Sequence, residues 1–577
     1  IKYNNSDYQA FSQALTLNPT MPVMDPENPN YYYETTGWEA ENPVEKLRLE
    51  KNGGDKKYLD WDGTFKLNLL PLFAPDKAHM LNTQITIAQQ INDEDLVWFR
   101  PSTSTLARKN GYRGEASQEH KKSRQESLEW LVNYGFEKNG HNLKAMGGYS
   151  YQYFVYSGMK AENKNFTSDK LMYNNLQDGT YMSEAKGRLG MSSYKNDAKL
   201  IAFFGRLSYD YQGKYLATAS LRYEGSSKFG ANNKWGYFPA ISAGWRISEE
   251  AFMKDISWID DLKIRGDFGV TGNQNFDSYK ALSTMGGYGQ VYFNGKYYQG
   301  WSPNVNVNPD LKWEKGKNWN IGLDFSLFNN ILTGSMNYFN RTQQDLLGDY
   351  TVALPPNIQS STFVNVGTMR NTGFEFDLTV DAVRTKDFNY SITLTGSTMN
   401  NKFLSFSNDV FTGQDYYWMD GFPAPGSPGE VQRIQENDRV GSFYTYRYAG
   451  VDDNGNWMIK NKDGKDIPIG EATGDDKVKV GNGIPKFSLS WNNSLTYNNF
   501  DLSLFFRGNF GYQVYNIHEF YWGLQSAAAN LNVLQSAYGK NAHITTGMNQ
   551  HNSYFVQNAD YLKLDVATLG YTIKVDS

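Results

Sequence analysis

The segment LKIRGDFGVTGN (residues 262–273) decides the interpretation of the whole sequence, because its side chains alternate in polarity. One set is apolar or small, and the other is polar or charged apart from one glycine. The first set is Leu262, Ile264, Gly266, Phe268 and Val270, and the second is Lys263, Arg265, Asp267, Gly269 and Thr271. A period of two predicts a β-strand of about ten residues with one apolar face and one wet face.

Two familiar motifs overlap within this segment. Arg265-Gly266-Asp267 matches a cell-adhesion tripeptide, and Asp267-Phe268-Gly269 matches the metal-binding triplet of protein kinases. A kinase also requires a glycine-rich phosphate loop, a strand lysine and a catalytic-loop aspartate in order, and the sequence lacks that arrangement. An adhesion motif requires a loop tip, whereas the alternation places these residues inside a strand. Both motifs are therefore interpreted as strand residues.

The same alternation recurs along the chain in about fifteen segments. Clear examples are residues 201–211, 215–223, 319–327, 374–381 and 500–507. Most of these segments have about the length that a tilted strand needs to cross a bilayer. Because a lysine or arginine that faces lipid at mid-bilayer costs roughly 2–4 kcal/mol, the charged phase is expected to face a wet or plugged lumen. The apolar phase is then expected to face lipid.

Three further features favour a transmembrane barrel over the alternative, a soluble sandwich or propeller. The predicted connections alternate between short and long, as they do on the two sides of a membrane barrel. Short turns are expected near 138–141, 212–214, 328–330 and 498–499, and long connections at 158–198, 272–316, 340–370, 401–484 and 511–558. Aromatic residues of the apolar phase crowd the short turns, as an interfacial girdle requires. They are Tyr134, Phe136, Tyr209, Tyr211, Tyr215, Phe388, Tyr390, Tyr497 and Phe500. No helical pattern of useful length interrupts the strands.

Composition narrows the class of protein further. The 577 residues carry a formal net charge of −5, which gives no basic footprint for nucleic acid. Cysteine is absent, so disulfides and thiolate metal sites are excluded within this sequence. The sequence has no run of 18 apolar residues, so no membrane-spanning helix is predicted. The opening residues IKYNNSDYQAF lack the pattern of a signal peptide, so none is predicted there. The mean hydropathy of −0.63 is typical of soluble proteins, but an alternating pattern hides membrane strands from such an average.

The segments YFPAISAGWRISEEAFM (237–253) and WIDDLKIRGDFGVTGNQ (258–274) resemble the barrel of SusC-type (SusC/RagA family) transporters, the TonB-dependent outer-membrane importers of Bacteroidetes. Further segments resemble later blocks of that family in the same order, at 308–347, 365–379, 440–455, 481–516 and 561–573. The resemblance implies an all-β fold, a large antiparallel transmembrane β-barrel that has 22 strands in the family. It also implies a location in the outer membrane of a Gram-negative, Bacteroidetes-like cell.

The sequence also departs from the family pattern. The family begins with a carboxypeptidase-like extension and a plug domain that fills the lumen, and nothing here resembles either. Residues 1–62 are expected to form an early extracellular loop, and the last strands are expected to be missing. Residues 1–577 are therefore interpreted as one barrel domain, an incomplete barrel without its N-terminal plug.

The resemblance implies a function without covalent chemistry, so no enzyme is expected. It implies active import of oligosaccharides, with a SusD-like surface lipoprotein as a hinged lid and energy from TonB–ExbB–ExbD acting through the plug. Import of oligopeptides is the alternative substrate class. A dimer of such transporter–lipoprotein pairs is a further expectation. A passive porin and a surface glycan-binding β-protein remain as rival functions.

Aromatic residues in the predicted long loops are the candidate ligand contacts, because flat rings stack on sugars and neighbouring carboxylates accept hydroxyl hydrogen bonds. The candidates are Tyr297, Tyr298 and Trp301; Asp415, Tyr416, Tyr417, Trp418 and Asp420; and Tyr521 and Trp522. Packing between loops or contact with a partner protein is the alternative explanation of the same residues. The sequence therefore leaves both interpretations open.

No catalytic or metal site is predicted. The six histidines are scattered and lack zinc-site spacing. The segment DDNGNWMIKNKDGKD (452–466) has Asp452, Asn454 and Asn456 at alternate positions, but Trp457 and Asp463 replace the glycine and glutamate of an EF-hand. Two hairpin turns explain these letters, and calcium in an extracellular loop or in a partner is the alternative. No other cofactor is expected.

Overall fold

The computed structural model describes residues 2–4, 8–35, 41–69, 78–182, 190–408, 411, 415–419, 421–422, 428–529, 531–545, 547 and 549–573. Within them, antiparallel strands form one 18-stranded sheet. Fifteen of its strands follow one another in chain order. They are β1 Lys51–Asn68, β2 His79–Arg100, β3 Glu115–Lys138, β4 His141–Lys164, β5 Met191–Tyr211, β6 Tyr215–Ser226, β7 Trp235–Arg246, β8 Ile259–Asn273, β9 Glu314–Leu327, β10 Leu332–Gln344, β11 Thr368–Arg384, β12 Phe388–Thr398, β13 Phe487–Tyr497, β14 Phe500–Phe510 and β15 Tyr561–Tyr571.

Each of these strands pairs antiparallel with the next, so the sheet is a meander of the predicted kind. The three remaining strands of the sheet are the short segments Lys2–Asn4, Asn400–Ser405 and Asp438–Arg439. In the described part of the chain, β15 pairs only with β14, and Lys2–Asn4 pairs with only three residues of β1. The described sheet is therefore open, and a bilayer requires that the polar groups of such edges be satisfied.

The tight turns lie where the sequence predicts them. Asn139 and Gly140 have φ values of 53° and 79°, and Gln212 and Gly213 have φ values of 54° and 68°. These left-handed conformations are those of two-residue hairpin turns, whose twist matches that of the flanking strands. Asn498 continues the pattern with φ 52°. Every short turn lies at the same end of the sheet, because consecutive strands run antiparallel.

Strand β1 corrects one expectation from the sequence. Residues 1–62 were expected to form a loop, but Lys51–Asn68 is a strand that pairs along its whole length with β2. The charged residues at its start lack alternation because a strand that extends beyond a bilayer has water on both faces. For the same reason β4 and β5 reach further into the predicted long connection 158–198, to Lys164 and from Met191.

The long connections at the opposite end carry their own structure. Two-stranded antiparallel sheets form from Met285–Phe293 with Lys296–Pro303, Leu347–Thr351 with Ser361–Asn365, Tyr416–Trp418 with Arg433–Gln435, and Gln513–Tyr515 with Val556–Asn558. A four-stranded sheet forms from Ser442–Val451, Trp457–Lys460, Asp466–Pro468 and Lys477–Asn482. The helices are α1 Tyr8–Thr16, α2 Pro43–Leu49, α3 Thr105–Lys109 and α4 Ile517–Trp522. Among the described helices, none is long and apolar enough to cross a membrane.

Most of the buried apolar core of the described residues lies in these connections and at the strand ends next to them. Its main cluster contains Trp457, Phe520, Leu524, Ile544 and Phe555, each at most 1% exposed. A second cluster joins Phe229, Phe238, Leu311 and Trp313. The apolar face of the sheet is instead exposed, with Ile241 60%, Ile321 55% and Leu221 48% exposed. Exposed apolar side chains over a whole sheet face are expected where that face meets lipid.

Candidate functional site

The opposite face of the sheet carries a polar groove across β10 to β15. The groove has a volume of about 530 Å³. Hydroxyl and amide side chains dominate its lining, namely Ser335, Asn337, Thr395, Ser397, Ser488, Ser490 and Asn509. They share one face because they are direct cross-strand partners, such as Ser335 with Asp377 and Asp377 with Thr395. The groove therefore offers many neutral hydrogen-bonding groups to a ligand in the lumen.

Charged residues on this face are mostly paired with each other. The Arg265 Nε donates to both carboxylate oxygens of Asp324, at 3.1 and 3.0 Å, and its Nη2 donates to Asn337 Oδ1 at 2.6 Å. Lys263 Nζ lies 3.7 Å from the same carboxylate. Arg265 thus belongs to a cross-strand network on the polar face of β8, as the alternation predicts. The adhesion and kinase interpretations of residues 265–269 are excluded by this position inside a strand.

The groove contains a second charged group at its β14–β15 end. Arg507 Nε lies 2.8 Å from Asp565 Oδ2, and Lys563 Nζ lies 2.8 Å from Asp565 Oδ1. Glu375 and Asp377 also line the groove and are exposed. Thr395 Oγ1 donates to Asp377 Oδ2 at 2.9 Å. The groove therefore combines neutral polar groups with acidic and basic groups at defined positions.

Of the predicted loop aromatics, Tyr416, Tyr417 and Trp418 form one short strand of a hairpin. Tyr416 and Tyr417 are 43% and 44% exposed. The Arg433 guanidinium lies 4.8 Å from the centre of the Tyr416 ring and 5.5 Å from that of Trp418. Lys477 Nζ lies 5.0 Å from the Trp418 ring. These are cation–π distances. The Tyr416 and Trp418 rings of the hairpin are therefore each in contact with a positively charged side chain.

Burial modifies the ionisation of the groups around this hairpin. Burial, with a smaller opposing contribution from Glu430, lowers the pKa of Lys477. Burial, together with the nearby Lys477 charge, lowers the pKa of His551 to about 4. Burial and a hydrogen bond to Asp438 raise the pKa of Tyr444 to about 12. His551 and Tyr444 are therefore neutral at pH 7.

Tyr297, Tyr298 and Trp301 lie on a different hairpin, Lys296–Pro303 with Met285–Phe293. Tyr297 is 68%, Tyr298 52% and Trp301 66% exposed. Tyr297 contacts Tyr292 across the hairpin, with ring centres 5.0 Å apart. These rings are accessible from solvent and are free of the buried clusters of the loops.

The remaining candidates divide. Tyr521 is only 2% exposed and belongs to the main buried cluster of the loops, so its ring is not accessible to a ligand. Of the two interpretations that the sequence leaves open, packing is the one that fits Tyr521, because the segment FYW lies on helix α4, which turns Phe520 and Tyr521 inward. Trp522 is half-buried and packs against the same cluster. Asp415 is exposed, and Asp420 lies outside the described residues.

The two predicted loop turns are present. Gly455 and Gly464 have φ values of 79° and 80°. Gly455 N–H donates to the carbonyl of Asp452 at 3.0 Å, and the Asp452 carboxylate accepts from the backbone N–H groups of Asn454 and Asn456. Because these hydrogen bonds hold the acid in a turn, the turn interpretation accounts for the sequence DDNGN.

The sheet also brings together three potential metal ligands that the sequence did not indicate. Asp95 pairs with His120 across β2 and β3, and Asp95 Oδ1 lies 2.8 Å from His120 Nδ1. Asp93 Oδ1 lies 3.6 Å from the same nitrogen. The strand register brings these three groups together. The spacing of histidines in the sequence gives no information on that register. Exposed groups of this kind are common without an ion.

Comparison with known proteins places this geometry in a family. Residues 1–576 match the family of TonB-dependent receptor-like β-barrels. The chain belongs to that family. Barrels of this kind lie in the outer membrane, so the exposed apolar face of the sheet faces lipid there.

Individual relatives agree with the SusC-type resemblance. The chain is 30% identical over 97% of its length to TonB-dependent receptor P3 of Formosa agariphila and 26% identical over 98% to TonB-dependent receptor SusC of Bacteroides thetaiotaomicron. It covers 55% and 57% of those relatives, so it spans about half of their length. A solved structure of the RagAB peptide importer superimposes on 99% of this chain, and on 61% of its own, with a TM-score of 0.76 and 21% identity. That likeness concerns the fold.

Proposed function

We propose that these 577 residues serve as the barrel domain of an outer-membrane importer for oligosaccharides. The observation that supports this proposal is the lumen-facing groove, in which hydroxyl and amide side chains outnumber charged ones. Sugars are bound through hydroxyl hydrogen bonds and through stacking on flat aromatic rings. Tyr416, Tyr417 and Trp418, with Tyr297, Tyr298 and Trp301 on the second hairpin, supply such rings on the same side of the membrane as the long loops.

Transport by this barrel is capture and release, and the chain itself makes no covalent change in the cargo. A SusD-like surface lipoprotein is proposed as the lid over the long connections, and the TonB complex as the energy source through a plug. A dimer of transporter–lipoprotein pairs belongs to the same proposal. Resemblance to SusC-type receptors supports all three.

Oligopeptide import is the second candidate. The RagAB structures are described as a peptide transporter or importer. In this chain the charged residues of the groove favour that substrate class, because Glu375 and Asp377 are exposed acids that can hold an amino terminus.

The two candidates are separated by the cargo that co-purifies with the full-length transporter and its lipoprotein in detergent. Mass spectrometry of that cargo is expected to identify glycan, and glycan panels in calorimetry are then expected to give binding. Trp418→Ala is expected to weaken glycan binding roughly tenfold, the equivalent of one stacking contact. Trp258→Ala is the matched control, since Trp258 is 50% exposed but lies beside the short turns.

Three outcomes contradict the proposal. Co-purified peptide without glycan favours oligopeptide import, the second candidate. Unchanged glycan affinity in Trp418→Ala removes that hairpin from the site. Ion conductance of the complete protein in planar bilayers, without removal of a plug, indicates a passive porin instead.

A further inference from the structure

A row of cations crosses the lipid-facing side of the sheet near its long connections. The row consists of successive cross-strand partners on β9, β10, β11 and the short strands Asn400–Ser405 and Asp438–Arg439. In order, they are Lys317, Thr342, Arg370, Lys402 and Arg439. Directly opposed residues of an antiparallel pair share a face. Four cations are therefore aligned among five neighbouring positions, which we call the cationic row.

The strand register places this row at the end of a polarity gradient. Going from the middle of the strands towards the long connections, the rows on this face are Leu323–Met336–Phe376, Ile321–Tyr338–Phe374, Trp319–Asn340–Thr372 and then the cationic row. Side chains thus change from two apolar and aromatic rows to a row that combines Trp319 with an amide and a hydroxyl, and finally to cations. This is the order in which a bilayer changes from hydrocarbon to headgroups.

Strand geometry gives the depth of the cationic row. Successive rows are two residues apart, which corresponds to roughly 7 Å along a strand. The row therefore lies roughly 14 Å along the strands from Tyr338 and Phe374, which are 44% and 39% exposed and lie in the same row as Ile321. Lysine and arginine side chains reach out from apolar surroundings towards polar groups. Their charged ends consequently lie at the level of the lipid headgroups.

The four cations lack the carboxylate partners that cations on the polar face have. Among the described residues, no carboxylate forms an ion pair with Lys317, Arg370, Lys402 or Arg439, whereas Arg265 and Arg507 on the opposite face are both ion-paired. The next row outwards, Lys315–Gln344–Thr368–Ser405, adds a fifth cation and no acid.

Arg439 shows the same lack of anionic partners in detail. Its Nη2 donates to the carbonyl oxygens of Met399 and Ile484 at 3.3 and 3.4 Å, and its buried Nε has no partner in the described residues. The charge of the adjacent Asp438 acts on Arg439, but within the described residues the two side chains form no ion pair, and the Asp438 carboxylate binds Tyr444 and Lys479.

We propose that the cationic row binds phosphate groups of lipids in the outer leaflet of the outer membrane. Arg370 offers a planar donor pair that matches phosphate oxygens, and Lys317, Lys402 and Arg439 supply positive charge beside it. A pocket of about 380 Å³ adjoins the row, lined by Tyr338, Phe374, Met399, Arg439 and Lys486. Its aromatic side accommodates the apolar part of the same lipid, and its cationic side the headgroup.

The test uses the full-length transporter in detergent and lipid A as the probe. The variant carries Lys317→Gln, Arg370→Gln, Lys402→Gln and Arg439→Gln. Native mass spectrometry is expected to show binding of phosphorylated lipid A that is weaker by about tenfold or more in the variant, with strong salt dependence in the parent. Enzymatically dephosphorylated lipid A is expected to bind both proteins weakly and equally.

A charge-matched control changes four exposed lysines of the connections, Lys170, Lys234, Lys296 and Lys465, to glutamine. This control is expected to retain lipid A like the parent. Heat-modifiable migration in detergent gels shows whether each variant is folded. If the fourfold variant fails to fold, Lys317→Gln with Lys402→Gln is the substitute, with an expected weakening of about fivefold.

Several results overturn the proposal. Equal binding of lipid A by variant and parent removes the row from lipid recognition. Equal binding of the phosphorylated and dephosphorylated forms by the parent shows that only acyl chains are held. Displacement of lipid A by millimolar inorganic phosphate indicates a free-phosphate site. Unchanged lipid binding together with loss of the lipoprotein lid assigns the row to an acidic protein surface.

Discussion

Replacement of Ile321 by lysine tests the assignment of the apolar face to lipid. Ile321 lies about midway along β9, between Gly266 on β8 and Tyr338 on β10. Its side chain is 55% exposed on the apolar face. Asn320 is the neighbouring residue and faces the lumen, where its Nδ2 donates to Asp267 Oδ2 at 2.9 Å. The pair Ile321→Lys and Asn320→Lys therefore places the same charge one residue apart on opposite faces.

The expected magnitudes differ clearly. A lysine that faces lipid near the middle of the bilayer lowers the free energy of unfolding by roughly 2–4 kcal/mol. At position 320 a lysine lies beside the Asp267 carboxylate in a wet lumen, so the change is expected to stay within about 0.5 kcal/mol. The difference between the two variants is thus expected to be roughly 2 kcal/mol or more.

Urea unfolding of the full-length protein in phospholipid vesicles, followed by intrinsic fluorescence, measures this difference. A second readout separates lipid from a dry protein interior, which also disfavours lysine. These 577 residues contain no cysteine, so a nitroxide can be attached at Ile321→Cys and at Asn320→Cys. The label at 321 is expected to collide with oxygen dissolved in lipid, and the label at 320 with an aqueous nickel chelate. Equal stability losses, or a label at 321 that neither reagent reaches, refutes the assignment.

Three further outcomes are expected in the connections. Gly547 has φ +91°, and a Cβ there would overlap the Trp457 indole, so Gly547→Ala is expected to lower the stability of the loops by roughly 1–3 kcal/mol. The control is Gly464→Ala, because Gly464 has φ +80° and open space around it. Equal effects of the two substitutions in a fluorescence melt contradict the steric explanation. Arg100→Gln leaves three glutamates without their shared partner and is expected to lower the free energy of unfolding by roughly 3–5 kcal/mol in a thermal melt; a loss below about 1 kcal/mol contradicts the buried-network explanation. The pKa of His551 is about 4 in the folded chain and about 6.5 in the unfolded chain, so the free energy of unfolding is expected to fall by roughly 3 kcal/mol as the pH drops from 6.5 to 4. His551→Gln is expected to abolish this pH dependence. An unchanged pH dependence in the variant assigns it to other groups.

The strands that cross the bilayer were predictable because two solvents impose the pattern. Between Leu262 and Thr271 every second side chain meets lipid and the others meet the lumen, so a period of two extends over the whole segment. The observed strand, Ile259–Asn273, adds only a few residues at each end. The short turns were predictable for a related reason, since Asn and Gly supply the left-handed conformations that two-residue hairpins require.

Strand extensions above the membrane were not predictable in the same way. In β1 the residues from Lys51 to Lys57 show no alternation between polar and apolar side chains, since neither face meets lipid there. Burial within the long connections was also hidden. Tyr521 and Trp418 both lie in aromatic-rich stretches, yet one is 2% exposed and the other lies at a partly exposed hairpin. Only tertiary packing distinguishes them.

The most informative functional features depend on strand register. Lys317 and Arg439 are 122 positions apart by their numbers in the sequence, yet the register places them in one row. Asp95 and His120 meet in the same way across one hairpin. Alternation indicates the face on which a residue lies, but it does not indicate which residues of other strands share its level. Sites formed across strands are therefore visible only in the structure.

Positively charged side chains are ion-paired on the lumen face of the sheet and lack ion pairs in the cationic row on the lipid face. This difference is expected to give the two faces a different dependence on salt. On the lumen face Arg265 and Arg507 are paired with Asp324 and Asp565. The proposed glycan cargo is therefore expected to depend on hydrogen bonds whose strength changes little with ionic strength. On the lipid face the cationic row is unpaired, and its attraction to phosphate is screened by salt. Raising the salt from about 0.05 to about 0.5 M is therefore expected to release phosphorylated lipid while changing glycan affinity by less than about twofold. A parallel loss of both on the same purified protein contradicts this separation, because it shows that unpaired charge also governs the lumen.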